Sequence, residues 1–244
     1  MVRRADAHPG AAEPDVLKDH RAVQLQFGQI LPYVPDFLRG ALLSLQIAFL
    51  AFAMGLGIGL LGASVLRFGP RAARLPVRAY VGFFTNTPQL VQVFFLFYAL
   101  PEAGILLTPF QAVLLGMTLN AGAYLTEIQR AGFDSVRREE IEAAETLGFS
   151  RVQMVWYVIA PHVVRTLYPA LSSQYIIMTL GTSMAAIFGV EELTGRALNA
   201  NAISFRSIEI FSITAILYVG ITVVASAVLF ALGRWLFRVR RGVF

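Results

Sequence analysis

The 244-residue chain contains no cysteine and a single lysine, Lys18. The first absence excludes a disulfide scaffold and any thiol or cysteine–metal chemistry. The second excludes a G-x-x-x-x-G-K-[ST] phosphate loop, because the only lysine lies in the polar N-terminal stretch. Histidine is scarce as well: His8, His20 and His162 have no ligand spacing between them, and no H-E-x-x-H or G-x-S-x-G occurs. No metal site, catalytic residue or resident cofactor is expected, and the chain does not read as an enzyme. Charge is also short. Only 14% of residues are charged, against about 25% in a soluble domain. The opening MVRRADAHPGAAEPDVLKDH has charges but no apolar core before a small-residue cleavage site, so no signal peptide is expected.

What fills the gap is apolar. Hydrophobic residues make up 57% of the chain, and its mean hydropathy is +0.64. Crossing a bilayer core as a helix takes about 20 mostly apolar residues. Five stretches approach or meet that length: Ala41–Leu66, Tyr80–Leu100, Phe110–Leu125, Leu171–Val190 and Ile210–Leu232. The expected fold class is therefore all-α, a polytopic membrane protein with five transmembrane helices. The first stretch is roughly 39 Å long as a helix, so it should tilt or protrude.

Arginine placement orients the bundle. Arg67, Arg71, Arg74 and Arg78 follow the first stretch; Arg130, Arg137, Arg138, Arg151 and Arg165 follow the third; Arg234, Arg238, Arg240 and Arg241 follow the fifth. The link PEAGILLTP between the second and third has no base. The positive-inside rule then puts the N-terminus outside and the C-terminus in the cytoplasm. The net charge of +5 is read by position, and no nucleic-acid partner is expected. No internal repeat is visible, and five spans do not divide into paired halves, so the unit should build its pathway by pairing with another subunit.

Gly57-x-Gly59-x-x-Gly62 matches a dinucleotide fingerprint formally, but it lies inside an apolar span with no preceding strand. The spacing of Gly55 and Gly59 instead suits close helix packing. The polar interruption from Gln129 to Pro169 is too long for a mere connection. Its VRREEIEAAETLG run favours helix; Gly148 can end that helix in a left-handed conformation. Ser150 and Gln153 have the spacing of a capping box for a second helix, RVQMVWYVIA, expected to stop at Pro161. Ala143, Ala144 and Leu147 share one arc of the first helix. The result is a helix–turn–helix elbow at the membrane surface. Read by periodicity alone, it could equally be a solvated amphipathic linker.

Glu142-Ala143-Ala144, three residues, Gly148, nine residues, then Val158-Ile159-Ala160-Pro161 resembles the EAA loop of membrane subunits of ABC importers. Ala160 departs from the usual leucine. TPQLVQVFFLFYALP (Thr87 to Pro101), LNAGAYLTEIQRAG (Leu119 to Gly132) and FGVEEL (Phe188 to Leu193) narrow the resemblance to the polar amino acid permeases of type I importers. Residues 37–240 are covered. Thr85 and Asn86 stand where that branch has Arg-Gly, and Leu180-Gly181 where it often has Lys-Asp.

The resemblance implies a 1–36 polar tail, a 37–240 permease domain with a coupling loop at about 134–161, and a basic end at 241–244. It implies a multi-pass protein of the bacterial inner membrane. Implied partners are two copies of a cytoplasmic ATPase carrying ATP and Mg, a second permease subunit (itself or a homologue) and a solute-binding protein. Glu142, Ala143, Ala144, Leu147, Gly148 and Pro161 become the expected ATPase-coupling residues. Candidates for the substrate pathway are polar residues that lipid would reject: Asn86, Thr87, Gln89, Gln92, Asn120, Tyr124, Gln174, Thr179, Thr182 and Ser183. Each could instead make an interhelical hydrogen bond. Glu127 and Arg130 are spaced to form a structural ion pair. The expected cargo is a polar amino acid. An opine, a sulfur-containing solute, or an ATP-independent channel or scaffold are the alternatives.

Overall fold

The computed structural model describes residues 25–237. The basic end at 241–244 lies outside them, as does the expected tail up to residue 24. All regular structure among the described residues is helical. The long helices are α1 (Val34–Phe68), α4 (Pro109–Asp134), α7 (Ala160–Gly181) and α9 (Ser207–Leu236). Shorter ones are α2 (Arg71–Thr85), α3 (Gln89–Phe94), α5 (Arg138–Thr146), α6 (Arg151–Met154) and α8 (Leu193–Ser204). Among the described residues, three helical runs are long and apolar enough to cross a membrane: Phe27–Phe68, Arg151–Phe188 and Ser207–Leu236.

α4 is the central helix, packed on α1, α2, α3 and α7. Thr108 and Gln111 start it with a reciprocal capping box, and Pro109 takes the first position, where its missing N–H costs nothing. It extends nine residues past the expected Leu125. The polar residues beyond Leu125 have partners: Thr126 Oγ1 donates to Gly122 O (2.7 Å), Gln129 Nε2 to Leu56 O (3.1 Å), and Arg130 pairs with Glu127 (2.6 Å) and Asp134 (3.1 Å). A helix surrounded by protein can be less apolar than one facing lipid.

α1 meets α4 along a glycine ridge. A Cβ on Gly55 would lie 2.8 Å from Ala121 Cβ, one on Gly59 2.8 Å from the Leu125 backbone, and one on Gly62 2.5 Å from Thr126 Oγ1. Gly57, on the other side of α1, has open space. The motif is a packing surface.

The second expected span is not one helix. It breaks at residues 86–88 between α2 and α3. Pro88 has no N–H to give the Phe84 carbonyl four residues earlier. The orphan carbonyls are taken up by side chains instead. Asn120 Nδ2 (3.2 Å) and Gln92 Nε2 (3.0 Å) both donate to Phe84 O; Asn86 Nδ2 donates to Gly82 O (2.8 Å) and Thr87 Oγ1 to Phe83 O (2.8 Å). A helix break that no water reaches needs internal satisfaction of this kind.

Pro161 does not stop the elbow's second helix. α6 continues through a π-turn (Val155–Ile159) into α7 and on to Phe188. The widened turn just before Pro161 accommodates the ring and the missing donor. The run of 38 residues is roughly 57 Å at 1.5 Å per residue, longer than any bilayer core.

Candidate coupling elbow and permeation break

The elbow is built from its termini. Residues 143 to 149 close α5 with a Schellman pattern: Gly148 N donates to Glu145 O (2.9 Å), Phe149 N to Ala144 O (3.1 Å), and Gly148 sits at φ +78°. Ser150 Oγ then accepts from Gln153 N (3.3 Å) while Gln153 Oε1 accepts from Ser150 N (2.9 Å), starting α6. Only one residue, Phe149, separates the left-handed cap from the next N-cap, so the turn has little freedom. Arg138 pairs with Glu142 (3.1 Å), and Glu140 reaches His162 Nδ1 (3.5 Å) across the elbow.

Of the expected coupling residues, Glu142, Ala143, Leu147 and Gly148 lie exposed together on α5 and its cap. Leu147 is 75% exposed, far more than a leucine needs to be. Ala144 is buried instead, on the side where α5 packs on α6 and the π-turn. Pro161 lies apart from them, in the first turn of α7. Trp156 and Tyr157 also stand exposed, on the π-turn.

The polar pathway candidates divide. Gln92, Asn120, Thr179 and Thr182 are buried. Gln92 Oε1 accepts from Asn120 Nδ2 (3.1 Å), and Gln92 Nε2 also reaches Thr87 Oγ1 (2.7 Å), so this amide pair staples the break to α4. Thr179 and Thr182 donate to carbonyls of their own helix. Asn86 and Tyr124 are exposed, and Thr87, Gln89, Gln174 and Ser183 half-buried. Tyr124 leans on the break through Thr85 O (3.4 Å), and Gln89 Oε1 comes within 3.7 Å of where a side chain on Gly181 would begin.

A stapled helix break and a doubly capped elbow thus share one helical bundle. The family described as "Binding-protein-dependent transport system inner membrane component" matches residues 55–241. The chain belongs to that family. Among permease relatives, the glutamine transport system permease protein GlnP of Escherichia coli (strain K12) is 36% identical over 214 residues, covering 87% of this chain and 98% of the relative. The octopine transport system permease protein OccM of Rhizobium radiobacter is 30% identical over 230 residues, covering 84% and 90%. A solved amino acid ABC transporter with histidines aligns at TM-score 0.80 and 28% identity, over 86% of this chain and 98% of that one. The inward-facing MetNI methionine ABC transporter aligns at TM-score 0.60 and 19% identity, over 85% and 99%, a likeness of fold.

Proposed function

We propose that the chain is the membrane subunit of an ATP-driven importer for polar amino acids in the bacterial inner membrane. Its N-terminus lies outside and its C-terminus in the cytoplasm. Residues 37–240 form the permease domain, with a coupling loop at about 134–161, and five segments cross the bilayer. These are α1, the broken α2–α3 segment, α4, the run through α7 and α9. ATP and Mg bind two copies of a separate ATPase. A second permease subunit and an external solute-binding protein complete the assembly. Relatives named for glutamine and octopine support the cargo class.

The observation that carries the mechanism is the unbroken helical run from Arg151 to Phe188 behind a rigidly capped turn. Glu142, Ala143, Leu147 and Gly148 seat α5 in a groove on the ATPase, where small side chains allow close approach and the acid meets basic residues. When the ATPases close on nucleotide, α5 moves with them. The Schellman cap and capping box pass that displacement to α6, and the continuous run carries it past Pro161 into the fourth span as one lever. The cargo passes the break at residues 86–88, beside Asn86, Gln89 and Tyr124. These groups are polar and not fully covered within one subunit, so a pathway or partner suits them better than lipid. Discontinuous helices of this kind mark substrate sites in other transporters.

Reconstitution with the ATPase and binding protein tests both parts. Gly148→Val together with Ala143→Leu should abolish solute-stimulated ATP hydrolysis and uptake while the permease remains inserted. Gln89→Ala should weaken uptake and leave basal hydrolysis intact. Normal coupling in the first variant removes the lever reading; unchanged uptake in the second removes Gln89 from the pathway.

A further inference from the structure

A polar cavity of about 400 Å³ opens where the end of α1, the start of α2 and the end of α4 meet. Arg67, Arg74, Arg78 and Arg130 line it together with Glu127 and Asp134. Four guanidinium groups against two carboxylates leave two positive charges over, and the pairing shows which ones. Both acids are engaged by Arg130, and Asp134 also by Arg67 at 3.6 Å. Arg74 uses only Nε, donating to Gly69 O (2.8 Å), and among the described residues neither Arg74 nor Arg78 makes an ion pair. The two lie four apart on α2, which aims both guanidinium groups into the same cavity.

Exposed hydrocarbon adjoins two of the lining arginines in the chain, Phe68 after Arg67 and Leu75 after Arg74. Phe68, ending α1, is 73% exposed, and Leu75, between the two arginines, is 72% exposed. A pocket that offers unpaired planar cations beside exposed hydrocarbon matches a molecule with both characters. We infer that this cavity binds an anionic phospholipid, its phosphate held by Arg74 and Arg78 and its acyl chains lying along Leu75 and Phe68. Arginine suits the role because its fork of donors matches phosphate oxygens. Such a lipid would tie the amphipathic α2 to the ends of α1 and α4, one helix before the stapled break.

Thermal unfolding of the full-length chain in neutral detergent tests this without reference to transport, so the result stands apart from the importer reading. Short-chain phosphatidylglycerol should raise the unfolding midpoint saturably, whereas phosphatidylcholine of the same chain length and inorganic phosphate should not. Arg78→Gln should raise the half-saturating concentration about fivefold, and Arg74→Gln with Arg78→Gln about 25-fold, from the free energy a basic residue gains near an anionic lipid. Arg234→Gln, at the end of α9 and outside the cavity, should leave it unchanged. Equal titrations of wild type and Arg78→Gln overturn the site. Equal response to phosphatidylcholine or to free phosphate overturns the lipid. If the double variant does not fold, Arg78→Gln carries the test alone, since its side chain has no ion pair here to lose.

Discussion

Glu192 caps α8 from a fully buried position, accepting from Gly195 N (3.0 Å), Ser44 Oγ (2.9 Å) and Tyr218 Oη (2.9 Å). It thereby joins α1, α8 and α9 in the stretch between the expected fourth and fifth spans. Burial is the larger effect and pushes its carboxyl above the ordinary 4.5, while the hydrogen bonds pull the other way. The folded chain thus holds the proton more tightly than the unfolded chain does. Its contribution to stability is greatest below 4.5 and is lost as pH rises through the raised folded value. Glu192→Gln should remove that component, since both hydroxyls can accept from an amide as readily as they donate to a carboxylate. In detergent, the wild-type unfolding midpoint should fall relative to the variant as pH climbs from 4.5. Parallel curves would mean that Glu192 does not titrate there. The sequence offered Glu192 only as the second acid of FGVEEL; its partners are 148 and 26 positions away.

At the scale of elements, two glycine features give opposite expectations along one chain. Gly62→Val drives a Cβ against Thr126, and Gly59→Leu drives one against the α4 backbone, which cannot yield; each should destabilise by about 1–3 kcal/mol. Gly57→Leu, two positions from Gly59 but facing open space, should be neutral or slightly stabilising because it removes a helix-weakening glycine. Thermal unfolding of the three variants separates a packing ridge from a general taste for glycine. Gly148 is different, since nothing lies near it and only its φ of +78° is at issue. Gly148→Val should cost about 1–2 kcal/mol locally, whereas Gly148→Asn, which tolerates the left-handed region, should cost less. Hydrogen exchange at Ala144 to Gln153 would report the loosened turn.

For the whole molecule, the absence of cysteine becomes an experimental convenience, because single cysteines can be introduced without clearing a background. Leu106, 83% exposed in the loop before α4, and Glu139, exposed in the first turn of α5, lie at opposite ends of α4 in the chain. With the N-terminus outside, Leu106→Cys should react with an impermeant maleimide on intact spheroplasts, and Glu139→Cys only on inverted vesicles. The reverse pattern would invert the orientation and remove the elbow from the ATPase's side. α4 is also where hydropathy misled about length: in its polar C-terminal third Thr126 and Gln129 are buried and hydrogen-bonded, and Arg130 pairs with Glu127 and Asp134 in the polar cavity.

By itself the sequence determined whatever depends on residues within a turn or two of one another. The Gly148 cap, the Ser150–Gln153 box and the Glu127–Arg130 pair are of this kind and formed as their spacing required, and three of the five apolar runs lie in helices long and apolar enough to cross a membrane. Only the tertiary structure decided which polar residues hold helices together and which remain open. Asn120 meets Gln92 from 28 positions away and Phe84 from 36, and Gln129 meets Leu56 from 73. It also decided that Pro161 lies within a continuous helix, because a π-turn upstream absorbs the missing donor. A buried amide takes whatever partner the fold brings to it, and in a membrane that partner is set by which helices touch.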